Sequence, residues 1–155
     1  LSIIMNIFYE LLIMMICFNI LRTTGFGLHA KKSIQCWISS TIMFIFLPLI
    51  SKYFVISKVV HIIFSILLLL LILLYAPADT YKRPLIKKKK RVIYKIITTI
   101  NTLILIIISF YTKSTITNLI LFGILIEVIL TNPITYKIFH LPYQNYKTYG
   151  LNRYV

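Results

Sequence analysis

Acidic residues are nearly missing: 3 Asp and Glu stand against 17 Lys and Arg, and charged residues of both signs make up only 13% of the chain. Average soluble domains carry about 25% charged residues, so an ordinary water-soluble domain is excluded. Cysteine occurs twice, at Cys17 and Cys36, both in or beside apolar segments. That rules against a secreted disulfide scaffold and points to a free thiol. The 4 glycines form no phosphate-cradling loop, and neither a Cys-x2-Cys pair nor a His-Glu-x2-His helix occurs. ATP-driven chemistry and a zinc protease are left without support, and no metal or cofactor is expected.

What is present is hydrophobic, 59% of 155 residues, in about one domain's length of chain. A chain this apolar cannot stay solvated as a disordered segment. The net charge of +14 would suit nucleic acid only if the basic residues shared a water-facing surface, and they sit instead between apolar blocks. The chain reads as a membrane protein. It opens at Leu1 rather than Met, straight into an apolar run, with no basic n-region and no small-residue cleavage site. The expectation is that no removable signal is present, and that the chain either has a non-standard start or lacks an N-terminal portion.

A helix that crosses a bilayer needs about 20 mostly apolar residues, with about 17 to 25 tolerated. Five stretches qualify: 1–21, interrupted by Glu10; 33–51, without charge; 59–78; 96–112; and 114–136, which carries Glu127. Tyr53, Tyr75, Tyr94, Tyr111 and Tyr136 fall at segment ends, where an amphipathic ring suits the headgroup layer. The fold expected is an all-α, polytopic membrane bundle of about five transmembrane helices, forming a single membrane-embedded domain over residues 1–155. Strict alternation sorts the loops into two sets. Loops 22–32 and 79–95 and the C-terminal tail hold 14 Lys and Arg, while Lys52, Lys58 and Lys113 make up the other 3. The positive-inside rule puts the first set in the cytoplasm.

Within the first set, the run Lys87, Lys88, Lys89, Lys90 and Arg91 has two compatible readings. One is a topogenic anchor on anionic lipid, each charge contributing about 1 kcal/mol; the other is a docking surface for an acidic ligand. Chemistry concentrates in the loop Arg22-Thr-Thr-Gly-Phe-Gly-Leu-His-Ala-Lys-Lys-Ser-Ile-Gln-Cys36. A cysteine at a helix start is favoured to ionise by backbone N–H groups, the helix dipole and the nearby Lys31 and Lys32. A neighbouring imidazole can take the thiol proton and return it to a leaving amine. On one straight helix His29 and Cys36 would stand about 10.5 Å apart, at about 1.5 Å per residue, too far to hydrogen-bond. A working pair needs His29 on non-helical chain that folds back, which Gly25 and Gly27 make sterically easy. By residue type alone, a lone His and Cys in an apolar chain serve packing more often than catalysis.

The stretch Gly27-Leu-His29-Ala30 followed by Cys36, and then the apolar run ending Phe46-Leu-Pro48-Leu49, resembles AgrB, the membrane peptidase family of accessory gene regulator quorum sensing in Gram-positive bacteria. Tyr75-Ala-Pro-Ala-Asp-Thr-Tyr-Lys-Arg-Pro84 with the basic run after it is similar to that family's central loop, and Gly123-Ile-Leu-Ile-Glu127 to a string in its last membrane segment. The resemblance implies a cysteine endopeptidase that removes the C-terminal tail of the propeptide AgrD and closes a thiolactone ring. It assigns Cys36 as nucleophile and His29 as general base and acid. It also implies an AgrD-like propeptide and the lipid bilayer as partners, with a homodimer as a family-level expectation.

The sequence assigns no oxyanion donor, Gln35 and backbone N–H groups near Cys36 being the candidates by position; Glu127, a candidate supporting residue, could orient His29, contact a Lys or Arg, or tie helices together. Lys87, Lys88, Lys89 and Lys90 are the candidate grip on an acidic propeptide tail. Cys17 is expected to act as a small hydrophobe, His61 to lie on the outward side away from the pair, and His140 to be a surface residue. The reading from a different class is a non-enzymatic membrane module, a transport or signalling subunit that docks an acidic partner through its basic loop. It predicts that His29 and Cys36 are replaceable.

Overall fold

The computed structural model describes residues 6–28, 33–80 and 84–147, with the side chains of residues 33–40 outside the description. Five long helices follow one another: α1 Phe8–Gly25, α2 Ser33–Tyr53, α3 Lys58–Tyr75, α4 Lys88–Tyr111 and α5 Ser114–Thr131, with a short α6, Pro133–Ile138. Among the described residues α1, α3, α4 and α5 are each long and apolar enough to cross a membrane. The fifth crossing expected, α2, is a 21-residue helix whose described apolar part is Thr41–Tyr53. The fold is a helical membrane bundle, as expected.

Helix ends follow local chemistry. Ser57 caps α3, its hydroxyl accepting the Val60 N–H at 3.4 Å. The helix stops at Tyr75 because Pro77 has no N–H to continue the ladder. Asn132 separates α5 from α6 and caps the latter through the Ile134 N–H at 2.9 Å, with Pro133 as its first residue. The last apolar stretch, expected to run to residue 136, is therefore two helices. The fourth begins earlier than its apolar limit of residue 96: Lys87 is the N-cap of α4, and Lys88, Lys89 and Lys90 form its first turn. Hydropathy marks only the lipid-soluble part of a helix, whereas lysine is a good helix former and carries α4 out into water.

α5 is the axis of the bundle, in contact with every other helix. Its 18 residues are 61% buried, against 22–28% for the spans of α1, α3 and α4. Around it α1 presents Met14, Cys17, Leu21 and Gly25, and α3 presents His61, Ser65, Leu68 and Ile72, each set at helical spacing. The inward face of α4 is rich in hydroxyls, Thr98, Thr102 and Ser109, while Ile100, Leu103, Ile104, Ile107 and Ile108 point outward. Small and hydroxyl-bearing residues inside with large aliphatics outside is the pattern of a protein solvated by lipid, where helices associate by close packing and hydrogen bonds.

Polar ties cross the bundle at both ends. His61 Nε2 lies 2.8 Å from Ser109 Oγ and its ring stacks on Phe110, joining α3 to α4. Nearby, Asn118 Nδ2 donates to the carbonyls of Ser51 and Phe54, and Lys52 pairs with Glu10 at 3.1 Å. Cys17 is buried and His140 is exposed.

Candidate functional site

Three segments that the charge count placed in one set come together at one end of the bundle. Gly27 N–H donates to the Ala78 carbonyl at 2.8 Å and Ala78 N–H to the Gly25 carbonyl at 3.0 Å, a single parallel bridge between residues 25–27 and the α3–α4 loop. Leu28 N–H donates to Leu130 O at 2.7 Å, fixing the same chain to the last turn of α5. Tyr136 on α6 donates its hydroxyl to the Asp79 carbonyl at 3.1 Å, and it clusters with Leu28 and Ala78. Burial raises the Tyr136 phenol above its ordinary pKa, with the Asp79 charge adding to the effect, so it remains a donor.

The chain that enters the expected His29 is held by a charge contact inside the bundle. Arg22, in the last turn of α1, donates Nη1 to the Phe26 carbonyl and Nη2 to the Leu28 carbonyl, the latter at 2.8 Å. Its Nη1 lies 3.8 Å from Glu127 Oε2. Glu127 is fully buried, and among the described residues neither carboxylate oxygen has a hydrogen-bond partner. Of the roles expected for Glu127, contact with an arginine is present and ties α1 to α5, while its relation to His29 lies outside the described residues. Backbone shape does the rest: Phe26 and Gly27 have φ of 62° and 81°, turning the chain sharply out of α1, and Phe26 rests edge-on against Tyr94 at 5.1 Å. Only glycine takes such a φ without strain, and a Cβ at Gly27 would stand 2.9 Å from the Leu130 carbonyl oxygen.

His29 lies outside the described residues. Gln35 and Cys36 are the third and fourth residues of α2, so the backbone of Cys36 lies in the first turn of that helix, as expected; their side chains are outside the description. Lys87, Lys88, Lys89 and Lys90 are all exposed at the start of α4. Four cations at a helix N-terminus oppose the helix dipole, so α4 gains nothing from them there. They are placed to attract an anion from outside the helix. Among the described residues no group of His, Cys, Asp and Glu could hold a metal ion.

Two residues of this end carry more than sequence reasoning assigned them. Arg22 counted only as a topogenic charge, and Asp79 only as one letter of the central-loop motif. Asp79 is 2% exposed, and its carboxylate accepts three backbone N–H groups, from Leu85 at 3.3 Å, Asn145 at 2.9 Å and Tyr146 at 2.8 Å. It thereby ties the α3–α4 loop to residues 145–146. The signal available in the sequence was scarcity: with 3 acidic residues in the chain, each is expected to have a specific partner.

The family described as accessory gene regulator B matches residues 1–131. The chain is 37% identical over 140 residues to accessory gene regulator protein B of Staphylococcus aureus strain MRSA252, covering 88% of this chain and 73% of that protein. It is 39% identical over 135 residues to the protein of the same name from strain Newman, covering 84% and 69%. A putative AgrB-like protein of Listeria monocytogenes serotype 4a strain HCC23 is 35% identical over 139 residues, covering 83% and 64%. No solved structure matches the chain. The chain belongs to the accessory gene regulator B family.

Proposed function

We propose that this chain is a membrane cysteine endopeptidase of the agr quorum-sensing system. It removes the C-terminal tail of an AgrD-like propeptide through a thioester on Cys36 and promotes thiolactone ring closure. The observation that carries the reading is the anchoring of residues 26–28. Arg22 and Leu130 hold the non-helical chain that leads to His29, and Cys36 follows in the first turn of α2. A folded-back, protein-covered stretch is what a His-x6-Cys pair needs, because such backbone at membrane depth must be satisfied by protein.

His29 takes the Cys36 proton, and the thiolate attacks the scissile carbonyl. The C–N bond breaks as His29 returns the proton to the leaving amine, and the peptide is held as a thioester. An internal thiol of the peptide, losing its proton to His29, attacks that thioester and expels Cys36. One thioester replaces another, so acyl activation is conserved provided that water is excluded. Gln35 and backbone N–H groups at the start of α2 are the oxyanion donors in this scheme. Lys87, Lys88, Lys89 and Lys90 draw in the acidic tail, and the end of the bundle that carries them faces the cytoplasm.

Mass spectrometry of the cognate propeptide, incubated with the protein in lipid, tests the reading against Cys36→Ala and His29→Ala. Tail loss that depends on both residues, with a thioester adduct on Cys36, is expected. A mass difference of one water separates ring from linear product. Equal processing by both variants would overturn the mechanism in favour of a docking module.

A further inference from the structure

A cavity of about 260 Å³ opens between the end of α3, the first two turns of α4 and residues 143–146. Tyr75, Asp79, Arg91, Lys95, Tyr143 and Tyr146 are among its walls. Arg91 and Lys95 are four residues apart on α4 and so share a face. The Arg91 guanidinium lies over the Tyr146 ring at 3.8 Å, and it donates to the carbonyls of Leu85 at 2.8 Å and Ile86 at 3.2 Å, both through Nη1. Its hydrogen bonds to described residues use Nη1 alone, and these bonds with the Tyr146 ring fix the position of the guanidinium. Lys95 is exposed, and the ion pairs found among the described residues, Arg22 with Glu127 and Lys52 with Glu10, lie elsewhere. Asp79, in the same wall, forms no ion pair with either cation among the described residues; its carboxylate accepts the N–H groups of Leu85, Asn145 and Tyr146.

We propose that this cavity is a peptide subsite that takes an acidic side chain with an adjacent apolar or aromatic group. Arg91 and Lys95 hold the carboxylate, and the three tyrosines cover the neighbouring group. The proposal rests on the peptidase reading and deepens it. A planar guanidinium stacked on an aromatic ring is suited to a carboxylate, and tyrosine walls reward a flat or apolar side chain. The exposed Lys87, Lys88, Lys89 and Lys90 offer a lipid phosphate easier access than a tyrosine-walled cavity does. The Ala78 end of the α3–α4 loop is hydrogen-bonded to Gly25 and Gly27, so an occupant of the cavity lies beside the chain that leads to His29. The long-range attraction of the lysine run and the selection of a particular acidic residue are thereby assigned to different groups.

The test uses the full chain carrying Cys36→Ala, which cannot turn over, in nanodiscs of phosphatidylcholine. The probes are two fluorescent tetrapeptides, acetyl-Trp-Glu-Glu-Leu-amide and its counterpart with Gln in place of Glu, read by anisotropy. The Glu peptide is expected to bind at least about tenfold more tightly than the Gln peptide, and Lys95→Gln and Arg91→Gln each to remove about tenfold. Lys95→Glu, an exposed change that leaves the Arg91 contacts intact, is expected to abolish the preference for Glu. Equal affinity for the two peptides, or a preference untouched by Lys95→Glu, overturns the subsite. So does loss of the preference when phosphatidylglycerol replaces phosphatidylcholine, which would assign the cavity to a lipid headgroup. Normal tail removal by the Lys95→Glu chain with an unchanged KM would overturn the subsite while leaving the peptidase reading standing. Preserved Glu selectivity in a chain that processes nothing would do the reverse.

Discussion

Arg22 and Glu127 meet across α1 and α5, Nη1 to Oε2 at 3.8 Å, and the same guanidinium bonds the carbonyls of Phe26 and Leu28. The arginine therefore converts a buried charge into a fixed path for the chain before His29. A lysine keeps the charge but cannot bridge two carbonyls with a planar fork. Arg22→Lys is expected to slow propeptide processing about 10- to 100-fold, the equivalent of one charged hydrogen bond of about 1.5–3 kcal/mol, with the helical signal by circular dichroism retained. An unchanged rate would dismiss the positioning role. Glu127→Gln leaves the Arg22 charge without its partner. Arg22 is 24% exposed, so the cost is expected near 2 kcal/mol, below the range for wholly buried pairs, and readable as a lowered Tm in detergent.

Gly27→Ala tests the turn itself. At a φ of 81° an added Cβ brings strain of about 1–2 kcal/mol, and it would press at 2.9 Å on the Leu130 carbonyl oxygen, a backbone atom that cannot swing away. Displacing that carbonyl loosens its bond to the Leu28 N–H. Processing is expected to fall at least about tenfold, and more steeply than Tm. A variant that processes normally would mean that residues 26–28 need not be held in this path.

The helices were legible because span length and hydropathy are properties of single segments, whereas the site is made by contacts between segments. Four spans and α2 could be placed from apolar runs, and the partition of Lys and Arg grouped two loops that the bridge between Phe26 and Ala78 joins. Helix ends were displaced where a local rule outweighed hydropathy: Pro77 and Pro133 shorten or divide an apolar run, and the lysine run lengthens α4. The reach of Arg22 to residues 26 and 28, and the three N–H groups gathered by Asp79, depend on tertiary geometry that no spacing encodes. The pairing of His29 with Cys36 is suggested by their chemistry in the loop and by motif resemblance, and those side chains lie outside the described residues.

Asp79 predicts a local unfolding. Asp79→Ala leaves the N–H groups of Leu85, Asn145 and Tyr146 without their acceptor, each at a cost of about 1–3 kcal/mol where water cannot replace it. Residues 140–147 are expected to detach from the bundle end, seen as faster proteolytic cleavage near Tyr143 and Tyr146. Asp79→Asn keeps one acceptor oxygen but turns an NH2 toward at least one of the N–H groups, so it should fall between wild type and Asp79→Ala. Equal protease resistance in all three would show that the carboxylate does not secure the segment.

The two cysteines should differ in reactivity by position. Cys17 is 6% exposed in the middle of α1, where reagents dissolved in water do not reach it, while Cys36 has its backbone at the start of α2. A thiolate, not a thiol, reacts with maleimide, and a helix start with a general base nearby raises the thiolate fraction at neutral pH. Brief treatment with N-ethylmaleimide in lipid is expected to add one label. Cys36→Ala should lose that label and Cys17→Ala should keep it, with processing by Cys17→Ala unchanged. His29→Ala should slow labelling of Cys36 about tenfold, as expected if the imidazole lowers the thiol pKa by one unit. Labelling of Cys36 at the same rate with and without His29 would separate the two residues chemically, and the general-base assignment would fall even if both proved necessary for tail removal.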